Sequence, residues 1–175
     1  MDQDKELLVK CLERDAEAEK QLYDRFAPKM YGVCLRFAGN RMEAEDILQN
    51  GFIYLFGNLK KFRFEGSLEG WVRRIFVNAA INYYRSNLKF KVQVELPGEM
   101  ENTLLNEDAL SAMSTKELLK VIQGLHPRYR TIFNLYVIEN YGHKEISEML
   151  GISVGTSKAQ LCRAKQIIRK ILLDQ

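Results

Sequence analysis

The sequence predicts an all-α protein: two small helical domains joined by an acidic linker. Three observations lead there. Apolar residues recur at helical spacing over most of the chain, that period is lost between Lys89 and Asp108, and no comparable alternating run marks a strand. A length of 175 residues suits one medium domain or two small ones.

The first helical stripe runs through Leu22, Phe26, Met30, Val33 and Phe37, in steps of four, four, three and four. Gly39-Asn40 is a break. A second helix from about Met42 to Leu59 carries Ala44, Ile47, Leu48, Phe52, Leu55 and Leu59 on one side. Gly66-Ser67 supplies a turn and an N-cap for a third helix, with Leu68, Trp71, Val72, Ile75 and Ala79 inward. A short helix before Ala16 completes the first domain.

From Lys89 to Asp108 the chain carries Pro97-Gly98 and reads as a linker. Between Val92 and Thr115 there are five acidic residues and no basic one. A strand at Lys91–Glu95 is the alternative to an extended linker there. Beyond it, Ser114 or Thr115 caps a helix bearing Leu118, Leu119, Ile122 and Leu125, which His126-Pro127 ends. A helix with Ile132, Phe133 and Tyr136 comes next.

The segment Gly142 to Ser153 then reads as a short helix, a glycine turn at Gly151, and Ser153 capping a longer helix to about Leu172. This is helix-turn-helix grammar. In the second of these helices Leu161, Ala164 and Ile168 face inward, whereas Lys158, Gln160 and Arg163 lie off that stripe. Lysine and arginine neutralise phosphates, and the forked groups of arginine and glutamine read guanine or adenine edges. A charged helix face of no special function has the same look.

Composition narrows the function class. The 46% hydrophobic residues support packed cores, and no apolar run approaches the ~20 residues that span a bilayer. The acidic start Met1–Glu6 lacks the order of a secretory signal, so a cytoplasmic protein is expected. Three scattered cysteines and two histidines offer no metal spacing, and no cofactor is expected. No P-loop, nucleophile motif or metal-spaced carboxylate pair points to an enzyme. A net charge of +3 does not by itself argue for nucleic acid. The distribution says more: five basic residues against Asp174 alone follow Thr156.

The chain resembles the extracytoplasmic-function (ECF) sigma factors of the sigma-70 family from about Leu7 to Leu172. Ala44-Glu45-Asp46-Ile47-Leu48-Gln49-Asn50-Gly51-Phe52-Ile53-Tyr54-Leu55-Phe56 is similar to the polymerase-binding helix of sigma region 2. Leu59-Lys60-Lys61-Phe62-Arg63 and Trp71-Val72-Arg73-Arg74-Ile75-Phe76-Val77-Asn78 resemble the promoter-melting segment. Leu125-His126-Pro127-Arg128-Tyr129-Arg130, Lys144-Glu145-Ile146 and Gly155-Thr156-Ser157-Lys158 through Arg163-Ala164-Lys165 look like the helix-turn-helix of region 4.

The resemblance implies region 2 over 1–88, a linker over 89–108 and region 4 over 109–175. It implies a non-enzymatic subunit that directs core RNA polymerase to promoters in a bacterial cytoplasm. Partners are the largest-subunit clamp helices and the flap, −35 duplex and single-stranded −10 DNA, and an anti-sigma factor, with no membrane insertion. Residue by residue, Asp46 and Gln49, with Glu45 and Asn50, match positions that pair with the clamp.

Asn78, with Arg74 and Arg85, belongs to the pocket for a flipped −10 base. Phe62, Arg63 and Phe64 lie in the loop that encloses it, the two phenylalanines as base contacts or as loop anchors. Trp71 belongs by spacing to the core, and Tyr83 and Tyr84 fit either role. At −35 the residues are Lys158, Gln160 and Arg163, with Ala159 and Cys162 making apolar or shape contacts. Arg130 falls near the DNA backbone or in a salt bridge. Ser157 and Ser147 stand where many relatives have valine and alanine, both near the packed seam. The competing reading is a helix-turn-helix regulator that is not a polymerase subunit.

Overall fold

The computed structural model describes residues 2–88 and 114–173, which places the expected linker and the Lys91–Glu95 alternation outside the described residues. Among the described residues the secondary structure is helical throughout. The chain divides into two compact units, Met1–Leu35 with Asn40–Ala80, and Arg36–Gly39 with Ile81–Gln175.

The helices of the first unit are α1 (Asp2–Leu12), α2 (Ala16–Phe37), α3 (Arg41–Gly57) and α4 (Leu68–Leu88); a 3₁₀ turn at Leu59–Lys61 follows α3. The last residues of α2 and α4 are grouped with the second unit. Local chemistry sets the boundaries. Arg14 adopts a left-handed φ of 64° after α1, and Asp15 Oδ1 accepts the Ala18 amide at 2.7 Å. Asn40 caps α3, its Oδ1 accepting the Glu43 amide at 2.9 Å. Ser67 Oγ accepts the Gly70 amide at 3.0 Å in the first turn of α4.

The core of this unit is the expected stripe, Leu22, Phe26, Met30 and Val33 of α2 with Ala44, Ile47, Phe52 and Leu55 of α3. On α4 the buried surface is wider than the sequence stripe. Leu68, Val72 and Ile75 are buried as expected, and so are Phe76, Val77 and Ala80, whereas Trp71 and Ala79 are only half-buried. The extra width has a cause in α3. Gly51 has no side chain, so the Phe76 ring lies directly against that helix and meets Phe52 edge-on at 5.0 Å. Tyr23 covers the other side of Phe52 at 4.5 Å.

The second unit contains α5 (Thr115–Gly124), α6 (Pro127–Phe133), α7 (His143–Leu150) and α8 (Val154–Leu173). Ser114 is the N-cap of α5, in a reciprocal capping box with Glu117. Pro127 opens α6, where its missing N–H costs nothing. The helix expected through Tyr136 widens at Asn134–Ile138 into a π-turn, closed by the Glu139 amide on the Asn134 carbonyl at 2.9 Å. Tyr136 therefore points outward, 37% exposed.

Gly151 ends α7 in the left-handed conformation, φ 66°, and Ser153 Oγ accepts the Thr156 amide at 2.9 Å. The turn and the cap fall on the residues the sequence marks for them. α8 packs on α6 and α7 with Leu161, Ala164 and Ile168 buried.

Candidate functional site

Three surfaces carry the residues singled out by the sequence. The first lies on α3. Glu45, Asp46, Gln49 and Asn50 are all exposed. Glu45 is held by Arg41 at 2.7 Å, and Asn50 turns its amide back to the Asp46 carbonyl at 2.9 Å. Asp46 and Gln49 are flanked by two apolar residues that the sequence stripe does not include. Met42 is 74% and Ile53 66% exposed. Met42, Asp46, Gln49 and Ile53 fall at i, i+4, i+7 and i+11, one row of the helix surface. The signal was present as two large apolar residues off the core stripe, in register with the polar pair.

The second surface surrounds the loop between the 3₁₀ turn and α4. It borders a cleft of about 420 Å³ lined by Lys61, Phe62, Arg63 and Glu65 of the loop side, and by Trp71 and Arg74 of α4. The two phenylalanines divide their roles. Phe62 is 8% exposed and packs on Trp71 at 5.2 Å, so it anchors the loop. Phe64 is 44% exposed, lies edge-on to Phe62 at 4.9 Å and has a φ of 58°. A bulky side chain held at positive φ is uncommon and marks a constrained loop.

Arg63 and Arg74 are exposed at the cleft. Asn78 is exposed one turn beyond Arg74 and outside the cleft lining. Arg85 is exposed on the part of α4 grouped with the second unit. Tyr83 and Tyr84 are half-buried, and burial pushes the Tyr84 phenol up to about 12.

The third surface is the outer side of α8. Lys158 and Arg163 are exposed, while Ala159, Gln160 and Cys162 are half-exposed between them. Arg163 Nη1 donates to Gln166 Oε1 at 3.3 Å on the same helix.

Arg130 does not join this surface. It is 4% exposed, and its Nη1 donates to the carbonyls of Gln123 at 2.8 Å and Leu125 at 3.3 Å. Those carbonyls end α5 without helical partners, and a buried guanidinium has to be hydrogen-bonded. Arg130 holds the end of α5 from inside the unit.

Ser157 is fully buried and its Oγ lies 2.9 Å from His143 Nδ1. Ser147 Oγ donates to the Lys144 carbonyl at 2.7 Å. Partial burial lowers the His143 pKa, with Lys158 and Lys165 adding to the effect, so its neutral form is favoured. Among the described residues, no three His, Cys, Asp or Glu side chains are grouped to hold a metal ion. Cys11 and Cys34 are buried, and burial raises the Cys11 pKa. No described helix is long and apolar enough to cross a membrane.

Comparison with known proteins accounts for both units. Residues 22–89 match the family model of sigma-70 region 2, and residues 115–168 match that of sigma-70 region 4. The ECF RNA polymerase sigma factor SigW of Bacillus subtilis is 32% identical over 174 residues, covering 91% of each chain. SigE of Mycolicibacterium smegmatis is 27% identical, covering 87% of this chain and 60% of its own.

A solved relative is the sigma factor RpoE of Bartonella quintana in complex with the anti-sigma factor NepR. It shares the fold at a TM-score of 0.50 and 18% identity, covering 89% of this chain and 96% of its own. With region 2 and region 4 in that order on one polypeptide, and one-third identity to SigW along nearly its whole length, the chain belongs to the ECF sigma factors of the sigma-70 family.

Proposed function

We propose that this sigma factor holds core RNA polymerase through the exposed row of α3, captures a melted −10 strand beside the loop cleft, and reads −35 duplex with α8. The observation that carries the proposal is the exposed row itself. Two large apolar side chains flank an acid and an amide on one helix face, a surface built to be covered by a partner. Asp46 and Gln49 supply direction by hydrogen bonds to basic residues of the clamp helices, and Met42 and Ile53 supply apolar area. A helix-turn-helix regulator that is not a polymerase subunit has no use for such a row.

The division of labour is region 2 over 1–88, a linker over 89–108 and region 4 over 109–175, with the flap as the polymerase site of region 4. In the −10 half, Phe64 and Asn78 are the base contacts, Arg63, Arg74 and Arg85 hold phosphates, and Phe62 keeps the loop in shape. In the −35 half, Lys158, Gln160 and Arg163 reach the groove, with Ala159 and Cys162 making close apolar contacts. Nucleotide addition stays with the polymerase, so the chain is not itself an enzyme. It works in the cytoplasm and is restrained there by an anti-sigma factor, as RpoE is bound by NepR.

Run-off transcription with purified core polymerase on a genomic promoter library tests the role. The expected result is initiation at a shared motif; failure to bind core in a pull-down sinks it. Asn78→Ala is expected to slow open-complex formation, read by permanganate footprinting, while core binding holds. Hydrogen-bonded base contacts are worth ~1–3 kcal/mol, so the loss is about five- to 150-fold. Lys158→Ala and Arg163→Ala weaken promoter binding. Each flattens the slope of log affinity against log salt by about one for a lost phosphate contact.

A further inference from the structure

Ser157 places a hydroxyl where the seam of the helix-turn-helix is otherwise apolar. It lies on the inward row of α8 with Leu161, Ala164 and Ile168, at spacings of four, seven and eleven, and all four are buried. A hydroxyl sealed from water is costly unless it is hydrogen-bonded. Its partner across the turn is Nδ1 of His143, the first residue of α7, at 2.9 Å. The imidazole in turn stacks on the Tyr136 ring of the π-turn, centroids 4.5 Å apart and planes 24° apart. Tyr136 stands in that place because the π-turn moves it out of the core row. One chain of contacts therefore ties the π-turn, the start of α7 and the first turn of α8.

We propose that the His143–Ser157 hydrogen bond is a positioning joint for −35 recognition, setting the rotation of α8 about its own axis relative to α7. A hydrogen bond adds a directional constraint to the packed seam, because it weakens steeply once its angle is lost. The joint sits immediately before Lys158 and within two turns of Gln160, Cys162 and Arg163. Base-edge contacts need the donor fork in register, so a small rotation of α8 changes which base is read before it changes attraction to phosphates. His143 and Ser157 act through these neighbours and touch no DNA themselves.

The groups around the ring suit this use. Lys158 and Lys165 of α8 disfavour a charged imidazole, and Glu145 of its own helix is turned to the Gly142 amide at 2.8 Å. In a neutral ring Nδ1 accepts from or donates to the serine hydroxyl according to the tautomer, and the hydroxyl can take either part.

The inference rests on α8 being the −35 helix, and the test separates the two. The holoenzyme is assembled with the full-length chain. Its affinity is measured for a duplex that the wild-type holoenzyme selects from a randomised pool and for a scrambled duplex, and the ratio is the readout. Ser157→Ala and His143→Leu are each expected to lower that ratio about three- to tenfold, the factor one neutral hydrogen bond corresponds to. The double variant falls no further than either single one. His143→Asn, whose amide stands in for Nδ1, keeps the ratio within about twofold of wild type.

Circular dichroism at the assay temperature confirms that each variant is folded, and the His143→Asn and His143→Leu pair decides the matter if Ser157→Ala is not. The inference is overturned if the single variants keep the wild-type ratio while Lys158→Ala weakens binding to the selected duplex. It is equally overturned if His143→Asn is as poor as His143→Leu, or if the losses multiply in the double variant. If Lys158→Ala changes nothing, the assignment of α8 to −35 fails, and this inference with it.

Discussion

A chain carrying Asp46→Lys and Ile53→Asp is expected to lose capture by core polymerase while keeping its helical fold. Both residues are exposed, so neither substitution opens a cavity or strands a buried partner, and the cost to stability is within ~0.5 kcal/mol. The Asn50 amide bonds the backbone carbonyl of residue 46, which the substitution retains. At the interface the arithmetic differs. Ile53 loses an apolar contact worth ~1.5–3 kcal/mol and places a carboxylate there instead. Lysine at 46 turns an attraction into a like-charge contact with the basic clamp, which adds several kcal/mol.

Affinity for core is expected to drop by about 1000-fold or more, since each ~1.4 kcal/mol is a factor of ten. Competition for core against an unmodified chain measures this. Retention of wild-type affinity, with an unchanged circular dichroism spectrum, rules out α3 as the polymerase face.

Filling Gly51 is expected to destabilise the first unit. A Cβ at this position falls within van der Waals radii of the Phe76 ring, 3.0 Å from Cζ and closer still to Cε1 and Cδ1. The ring has little room to move, because Phe76 is fully buried and Phe52 lies against it, centroids 5.0 Å apart. Exchanging glycine for alanine gains ~1 kcal/mol of helix propensity, and overpacking costs ~1–3 kcal/mol.

Gly51→Ala is therefore expected to be destabilising by up to about 2 kcal/mol, and Gly51→Val, with two more methyl groups, by ~3 kcal/mol or more. The shift in urea midpoint of the full chain reads this out. Phe76→Leu removes part of the ring, so Gly51→Ala is expected to cost less in that background. Equal cost in both backgrounds counts against the contact.

Core binding and promoter reading are separable by the same variants. Asp46→Lys with Ile53→Asp is expected to act on core binding and spare the fold, and Gly51→Val on the fold that presents α3. Lys158→Ala is expected to act on DNA binding alone.

Much of this was legible in the sequence because helices repeat and caps are local. A period of 3.6 residues placed the core of α2 and α3, and Gly151 with Ser153 marked the turn and cap of the helix-turn-helix through backbone requirements that only near neighbours set. The ordered match to two sigma regions gave the role. The sequence alone thus determined an all-helical, two-part sigma factor and the row of α8 that faces its core.

What only the tertiary structure decided depends on residues far apart in the chain. Gly51 looked neutral until Phe76, twenty-five positions on, was seen to need its empty side. Phe62 and Phe64 are two residues apart and alike in chemistry, and only the position of Trp71 separates anchor from exposed ring. Arg130 reads as a residue near the DNA backbone or in a salt bridge, and the structure shows the open carbonyls at the end of α5 as partners of its buried guanidinium.

Ser157 departs from an apolar pattern, and the histidine fourteen residues earlier supplies the partner its hydroxyl requires. Periodicity records which side of a helix is buried. It is silent on which distant group completes a hydrogen bond or claims a missing side chain's volume, and those choices shape the surfaces from which the proposed polymerase and DNA contacts are made.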